Sequence, residues 1–259
     1  MTNTPEAKQD GCAFITGGGS GIGAAAARRL AAGGRPVALA GRSPEALEKV
    51  AEEIRGAGGR AMGLPCDVRD LPSIQDAVEQ AIGEHGAITT LVASAGVMPI
   101  GPMHSADPAD WKRMIDVNIL GVLHAIHAVL PGMRTSGRGH ILVIGSVAGR
   151  HLFPDATVYC ATKTALHVIS EGLRSELARA ARDDGNRIRV SLVAPGAVDT
   201  ALPSTIADQE SRAATEAWYA GMEGILQADD VAEAILWAID APDHVSVNEV
   251  MVRPTSMVR

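Results

Sequence analysis

The stretch Thr16-Gly17-Gly18-Gly19-Ser20-Gly21-Ile22-Gly23 decides the fold. It follows a compact apolar run, Cys12 to Thr16, and opens an alanine-rich run that closes at Gly33 and Gly34. That order reads as strand, glycine turn, helix. Glycines at the turn let the backbone fold tightly and approach a pyrophosphate. The helix N-terminus supplies free N–H groups and the positive end of its dipole. Gly17, Gly21 and Gly23 give a GxxxGxG spacing rather than the more usual GxGxxG, and Gly19, Ser20 and Ile22 fill the same loop. A glycine-rich turn that holds no ligand is the plainer alternative.

The alternation continues outward from this loop. Residues 36–41, 60–68, 88–96, 140–146, 187–196 and 247–252 are further β-type runs. Between them lie stretches with apolar residues at helical spacing. Ser43 can cap a helix carrying Leu47, Val50 and Ile54, and Ile74, Val78 and Ile82 mark the next. Long helices are expected over 108–133, with Trp111, Ile115, Ile119 and Val122, and over 158–181, with a shorter one over 229–240. Strand–helix alternation implies βαβ units. The expected fold class is α/β, a single Rossmann-type doubly wound parallel sheet of about seven strands with helices on both faces. No linker interrupts the pattern, so residues 1–259 read as one domain. The polar segment 201–227 breaks the rhythm and reads as a substrate lid, with a plain surface insertion as the alternative.

Composition narrows the function. The 259 residues are 46% hydrophobic and 20% charged, which is enough apolar material for a core. Aromatics are only 3%, which argues against base-stacking platforms. Lys and Arg total 23 against 30 Asp and Glu, a formal charge of -7, so the footprint for phosphate backbones or anionic membranes is missing. The three cysteines are scattered, which argues against disulfides and a zinc site. The polar N-terminus does not read as a signal peptide, and no apolar run reaches the roughly 18 residues of a membrane span. The expectation is a soluble cytoplasmic protein without nucleic-acid or membrane partners and without a metal.

The end of the second strand bears on the cofactor. An NAD site usually places a carboxylate there for the ribose 2′-OH. This chain has Ala40-Gly41-Arg42-Ser43, with no carboxylate before Glu45. Arg42 can pair with a 2′-phosphate through its planar fork. NADP(H) is therefore expected over NAD(H), and a solvated Arg42 is the alternative. Asp67, with Val68 beside it after the third strand, is placed to accept from an adenine amino group or to cap a helix.

Tyr159 and Lys163 stand four residues apart at the start of the second long helix, so they share a face. A free tyrosine has a pKa of roughly 10, and a nearby ammonium together with a nicotinamide cation would lower it. Ser146 ends the buried fifth strand, where its hydroxyl can hydrogen-bond a substrate oxygen. Asn118, in the preceding long helix, can bend that helix and hold a water next to Lys163.

A lone YxxxK carries little weight. Glycine loop, Asn118, Ser146, then Tyr159 with Lys163, in that order, resemble the short-chain dehydrogenase/reductase family over essentially the whole chain. The resemblance implies that Tyr159 is the general acid/base and that Lys163 binds the nicotinamide ribose. It implies that Ser146 orients the carbonyl and that Asn118 anchors a proton-relay water. Pro195, Gly196, Val198 and Thr200 match the segment that meets the nicotinamide carboxamide, and Ala95 and Gly96 the turn beside the cofactor. One departure is Ala93-Ser94-Ala95-Gly96, where the family usually has Asn-Asn-Ala-Gly. Several segments are similar to the NADP-dependent 3-hydroxy-acid (serine-type) and clavaldehyde dehydrogenases. That similarity implies NADP(H), a small polar carbonyl or hydroxy substrate, and a homotetramer, with a dimer as the alternative.

Other residues read as structural. His124 and His127 suit packing, and Cys160 points away from the Tyr159 face. Trp218, Tyr219 and Met222 divide between pocket lining and lid packing, and His151, Leu152 and Phe153 follow Ser146 closely enough to touch substrate. The leading reading is an enzyme that moves a hydride between nicotinamide and a small carbonyl or alcohol. The alternatives are a cofactor-sensing protein of the same fold without turnover, and an epimerase or dehydratase with tightly held NAD.

Overall fold

The computed structural model describes residues 11–257, so the polar N-terminal stretch read for a signal peptide lies outside the described residues. β1 (Cys12–Thr16) is buried at every position. It pairs in parallel with β2 (Val37–Gly41) on one side and β4 (Ile88–Ala93) on the other. β3 (Ala61–Pro65) lies outside β2. Beyond β4 come β5 (Arg138–Ile144), β6 (Arg187–Pro195) and β9 (Glu249–Val252), also parallel. The order is β3-β2-β1-β4-β5-β6-β9, the seven strands the alternation implies. The chain winds one way from β1 and the other way from β4. The two halves therefore part between the C-terminal ends of β1 and β4, where open α/β sheets leave a crevice.

Alternate residues of each strand serve opposite faces. Ala13, Ile15, Leu39 and Leu142 meet α1 (Gly21–Ala32), α2 (Pro44–Gly56) and α8 (Ala228–Asp240). Phe14, Leu91 and Ile141 meet α3 (Leu71–His85), α5 (Gly121–Ser136) and α6 (Thr157–Asp184). Small side chains on α1, Ala24 to Ala27, let it approach closely, and Arg29 forks onto Asp229 of α8 at 2.5 and 2.6 Å. Ile82, which helical spacing places on the buried stripe of α3, is exposed instead.

The expected long helix over 108–133 is α4 (Pro108–Ile115), a widened π turn (Asp116–Leu120) and α5, run together. The sequence reading found no membrane-length apolar run, and the structure corrects this. Pro108–Ser136 is one helical stretch of 29 residues with a window of mean hydropathy 1.5. Its residues Val122, Val129 and Met133 are buried in the core beside the sheet.

The segment 201–227 is not irregular. After β7 (Val198–Asp199) come a short 3-10 turn (Leu202–Thr205) and α7 (Gln209–Ala220), and then β8 (Leu226–Gln227) pairs with β7. The Asp208 carboxylate accepts from the Ser211 N–H at 2.8 Å and caps α7.

Candidate active site

The loops at the C-terminal ends of β1, β4, β5 and β6, closed over by α7, enclose a cleft of about 630 Å³. The glycine loop forms its floor. Gly17 has φ +69, and a Cβ there would lie 2.9 Å from the Ala95 nitrogen. A Cβ on Gly23 would stand 2.4 Å from the Gly17 carbonyl oxygen, so that glycine lets α1 start close against the turn. Ser20, at the α1 N-cap, makes no side-chain cap hydrogen bond, and the first turn holds no acidic residue. The first N–H groups of α1 are thus left to something outside the helix, which suits a phosphate. Gly17, Ser20, Gly21 and Ile22 line the cleft, whereas Gly19 packs on Ala46 of α2.

Arg42 lines the same end. Ser43 does not: its hydroxyl caps α2, accepting from the Ala46 N–H at 3.3 Å and donating to Glu45 at 3.0 Å. Asp67 is not among the lining residues either. The Arg69 guanidinium grips it at 3.0 and 2.5 Å, and the Arg69 N–H adds a third bond. That grip holds its carboxyl below the ordinary range, with a smaller contribution from Arg42. Nor does Asp67 cap α3, whose N-cap is Asp70. Val68 is buried against Gly121, and its carbonyl meets His124 Nδ1 at 2.9 Å. Ala95 and Gly96 line the cleft, with the Ala95 N–H held by the Thr16 hydroxyl at 3.3 Å. Ser94 lines it too, and its N–H reaches the Thr16 carbonyl at 3.3 Å. Pro195, Gly196, Val198 and Thr200 form the wall beyond β6.

Ser146, Tyr159 and Lys163 converge on the opposite wall, all of them buried. Ser146 follows β5 and accepts from the Ala148 N–H at 3.1 Å, which fixes the turn, and it hydrogen-bonds the Tyr159 hydroxyl. Lys163 Nζ donates to the Ile144 carbonyl at 3.0 Å and lies 5.8 Å from the Tyr159 ring centroid. Burial lowers Lys163 to about 8. Burial pushes Tyr159 up, opposed by the Ser146 hydrogen bond. The lowering expected from the sequence is therefore not a property of the chain by itself, because desolvation outweighs it.

Asn118 is fully buried in the π turn. Its Oδ1 accepts from the Val97 N–H at 2.9 Å, and its Nδ2 donates to the Val97 carbonyl at 3.0 Å and to the Thr162 hydroxyl at 3.2 Å. The bend expected at Asn118 is present. Both amide hydrogens are committed, so the side chain ties β4's loop to α6 and has no donor left for a water.

Sequence reasoning missed Met98, Ile100, Thr205 and Met257 in the cleft wall. It named Trp218 but missed Ser211, Ala214 and Thr215, which complete one face of α7 at a readable i, i+3, i+4, i+7 spacing. Phe153, Trp218 and Tyr219 line the cleft, and Leu152 is 83% exposed. Cys160 is buried, its thiol pushed up by burial. No cluster of three metal-ligating side chains occurs among the described residues.

Comparison with known proteins gives this geometry a lineage. The profile described as short chain dehydrogenase matches residues 11–211. The chain belongs to this family. An uncharacterized oxidoreductase of Listeria monocytogenes is 39% identical over 243 residues, covering 94% of this chain and 96% of that one. Serine dehydrogenase in its closed form with NADP+ superposes with a TM-score of 0.83 at 31% identity, over 93% of each chain. A short-chain dehydrogenase/reductase from Burkholderia phymatum with NAD gives 0.85 at 27% identity, over 94% of this chain and 89% of that one. The chain is thus an oxidoreductase of a family whose solved members hold nicotinamide cofactors of both kinds. The glycine cradle and the uncapped start of α1 fit such a cofactor.

Proposed function

We propose that this dehydrogenase interconverts a small carbonyl compound and its alcohol with NADP(H). The observation that carries the reading is the buried Ser146–Tyr159–Lys163 group facing the glycine cradle across one cleft. The nicotinamide, when bound, supplies or takes up the hydride. Gly17, Ser20, Gly21 and the first turn of α1 would hold the pyrophosphate, and Arg42 a 2′-phosphate. No carboxylate lines the cleft at the Arg42 end among the described residues, which favours the phosphorylated form.

In the reductive direction the Tyr159 hydroxyl gives its proton to the substrate oxygen as the carbonyl carbon is reduced. Ser146 donates to that oxygen and keeps it within reach of Tyr159. The Lys163 ammonium, anchored on the Ile144 carbonyl, faces the phenolate that remains and stabilises it. In the oxidative direction Tyr159 takes the alcohol proton. Asn118 is a positioning residue that fixes α6 against the β4 loop. α7 serves as the lid, within one domain. A homotetramer is the assembly that the family resemblance implies.

Replacing Tyr159 by Phe tests this. Loss of general acid–base catalysis costs roughly 100- to 10,000-fold. Turnover should fall by that much while NADPH affinity stays within about threefold, since the phenol is not needed for phosphate contacts. Residual turnover above a tenth of the parent's would overturn the mechanism. Parallel titration with NADPH and NADH tests the cofactor.

A further inference from the structure

The whole sequence holds seven aromatic rings: three Trp, two Tyr and two Phe. Four of them, Phe153, Tyr159, Trp218 and Tyr219, line the one cleft. Phe153, from the loop before α6, meets Trp218 of α7 at 5.9 Å and 54°. Trp218 meets Tyr219 at 5.4 Å and 57°. These are tilted contacts of the favourable kind, and they build a continuous apolar wall beside Tyr159. Trp218 remains 42% exposed, so the wall keeps a large apolar face for something else to cover.

The charges are arranged differently. Among the described lining residues the charged side chains are Arg42, Asp155 and Lys163. Arg42 follows β2, three strand steps from β5, or roughly 14 Å to the side of Ser146. Lys163 is buried and committed to the Ile144 carbonyl. Asp155, exposed at the cleft mouth, adds an acidic side chain rather than a cation. Three hydroxyls on the 201–227 segment are also committed. Ser204 donates to the Ala201 carbonyl at 2.7 Å and Thr205 to the Leu202 carbonyl at 2.8 Å. Thr215 donates to the Ser211 carbonyl at 2.7 Å, whereas Ser211 caps α7 through its backbone N–H and its buried hydroxyl has no partner. Ser146, Tyr159 and Ser211 offer neutral hydroxyls to a substrate oxygen. A carboxylate beside the ring wall would lose its water, find no cation and face Asp155.

We infer that this site takes uncharged carbonyl compounds bearing an apolar, ring-sized substituent, in preference to the carboxylate-bearing hydroxy acids. The inference rests on the proposed carbonyl–alcohol chemistry for its turnover readout, and its binding readout is independent of that chemistry.

The test uses acetophenone, methyl 4-acetylbenzoate, 4-acetylbenzoate and methyl acetoacetate. Kd comes from calorimetry on the NADP+-loaded protein, which holds no hydride for a ketone, and kcat/KM from NADPH consumption. The methyl ester should bind roughly 10- to 100-fold tighter than the matching acid, the scale of an unpaired charge at a partly desolvated site. Asp155→Asn, at a residue with φ +57 that Asn tolerates, should narrow that gap and leave acetophenone unchanged. Trp218→Ala should weaken acetophenone about tenfold and methyl acetoacetate less than threefold. Trp218→Leu, which keeps apolar bulk on α7, should show a smaller version of the same pattern if the Ala variant does not fold. An acid that binds as tightly as its ester, or a ring preference untouched by both Trp218 variants, would overturn the inference. Turnover that favours the acids would leave the proposed chemistry standing and sink this one. Ester-selective binding without turnover would do the reverse.

Discussion

Asn118→Ala is the substitution whose cost can be worked most directly from the structure. The side chain is wholly buried and makes three hydrogen bonds, two with the Val97 backbone and one with Thr162. At a net value of about 1 kcal/mol each, removing them costs about 3 kcal/mol. The loss is real rather than exchanged for water, because the Val97 N–H and C=O lie in a buried turn where nothing in the wall replaces the amide. In a domain of this size 1 kcal/mol shifts Tm by roughly 2–4 °C, so the variant should melt roughly 6–12 °C below the parent. Asn118→Asp separates this account from a simple volume effect. Aspartate keeps the acceptor for the Val97 N–H, but turns a second oxygen toward the Val97 carbonyl and toward Thr162, whose hydroxyl already donates to the Tyr159 carbonyl at 2.7 Å. The near-isosteric change should therefore cost at least as much as truncation. Thermal unfolding followed by circular dichroism reads both variants. A Tm within about 2 °C of the parent for either would refute the assignment of Asn118 as the tie between the β4 loop and α6.

Three further outcomes follow from other parts of the molecule. Arg42→Ala should lower the ratio of NADPH affinity to NADH affinity by roughly 10- to 100-fold, the scale of a bidentate charge-assisted contact, and an unchanged ratio in parallel fluorescence titrations would show that Arg42 is solvated. His140 is buried and held down to about 3, chiefly by desolvation and then by Arg189 and Arg35. Its native state stays neutral while the unfolded chain binds a proton below about 6.5, so stability falls by about 1.4 kcal/mol per pH unit from that point toward pH 3. His140→Gln should lose one proton's worth of that slope in urea unfolding, and an identical slope would count against a neutral His140. Arg150, which forks onto Glu249 of β9 but is half exposed, should cost at most about 1 kcal/mol when changed to Ala. A loss of several kcal/mol in the same unfolding assay would mean that the pair anchors the Ser146 turn.

What the sequence made legible was local. β1 is an uninterrupted apolar run, and its strand–turn–helix junction is punctuated by glycine, so both could be read without partners. Tyr159 and Lys163 share a face by helical spacing alone, and Ser146 falls at a strand end. What stayed hidden depends on competition between side chains. Asp67 was placed at the cofactor because it follows β3, but Arg69, two residues later, reaches it first. The π turn arises because Asn118 turns toward Val97 and Thr162, the latter on a helix more than forty residues away. The 201–227 segment reads as a lid with Trp218 in it, but its helix α7 is not legible, because the cleft-facing residues are Ser211, Ala214, Thr215 and Trp218 rather than an aliphatic stripe. A helix that faces a ligand space carries a weaker apolar signature than one that faces the core.

The Tyr159 shift shows how much of the chemistry is shared between chain and cofactor. Burial acts on Tyr159 and Lys163 in the same sense, toward the neutral form of each, raising the phenol and lowering the ammonium. The chain alone therefore holds Tyr159 as a reluctant acid, and the cation that makes its phenolate accessible has to arrive with the oxidised nicotinamide. The protein offers a direct reading of this, because it contains two tyrosines and burial raises both. Followed by near-ultraviolet phenolate absorbance, the protein alone should show no tyrosine ionising below a pH of about 10, the ordinary value. Addition of NADP+ should bring one ionisation below that point, NADPH should not, and Tyr159→Phe should abolish the change. If Tyr159 ionises below 10 without cofactor, Lys163 is already sufficient and burial has been given too much weight. If it stays above 10 with NADP+ bound, the cofactor's charge does not reach the phenol, and Tyr159 works as an acid whose conjugate base is made only in the transition state.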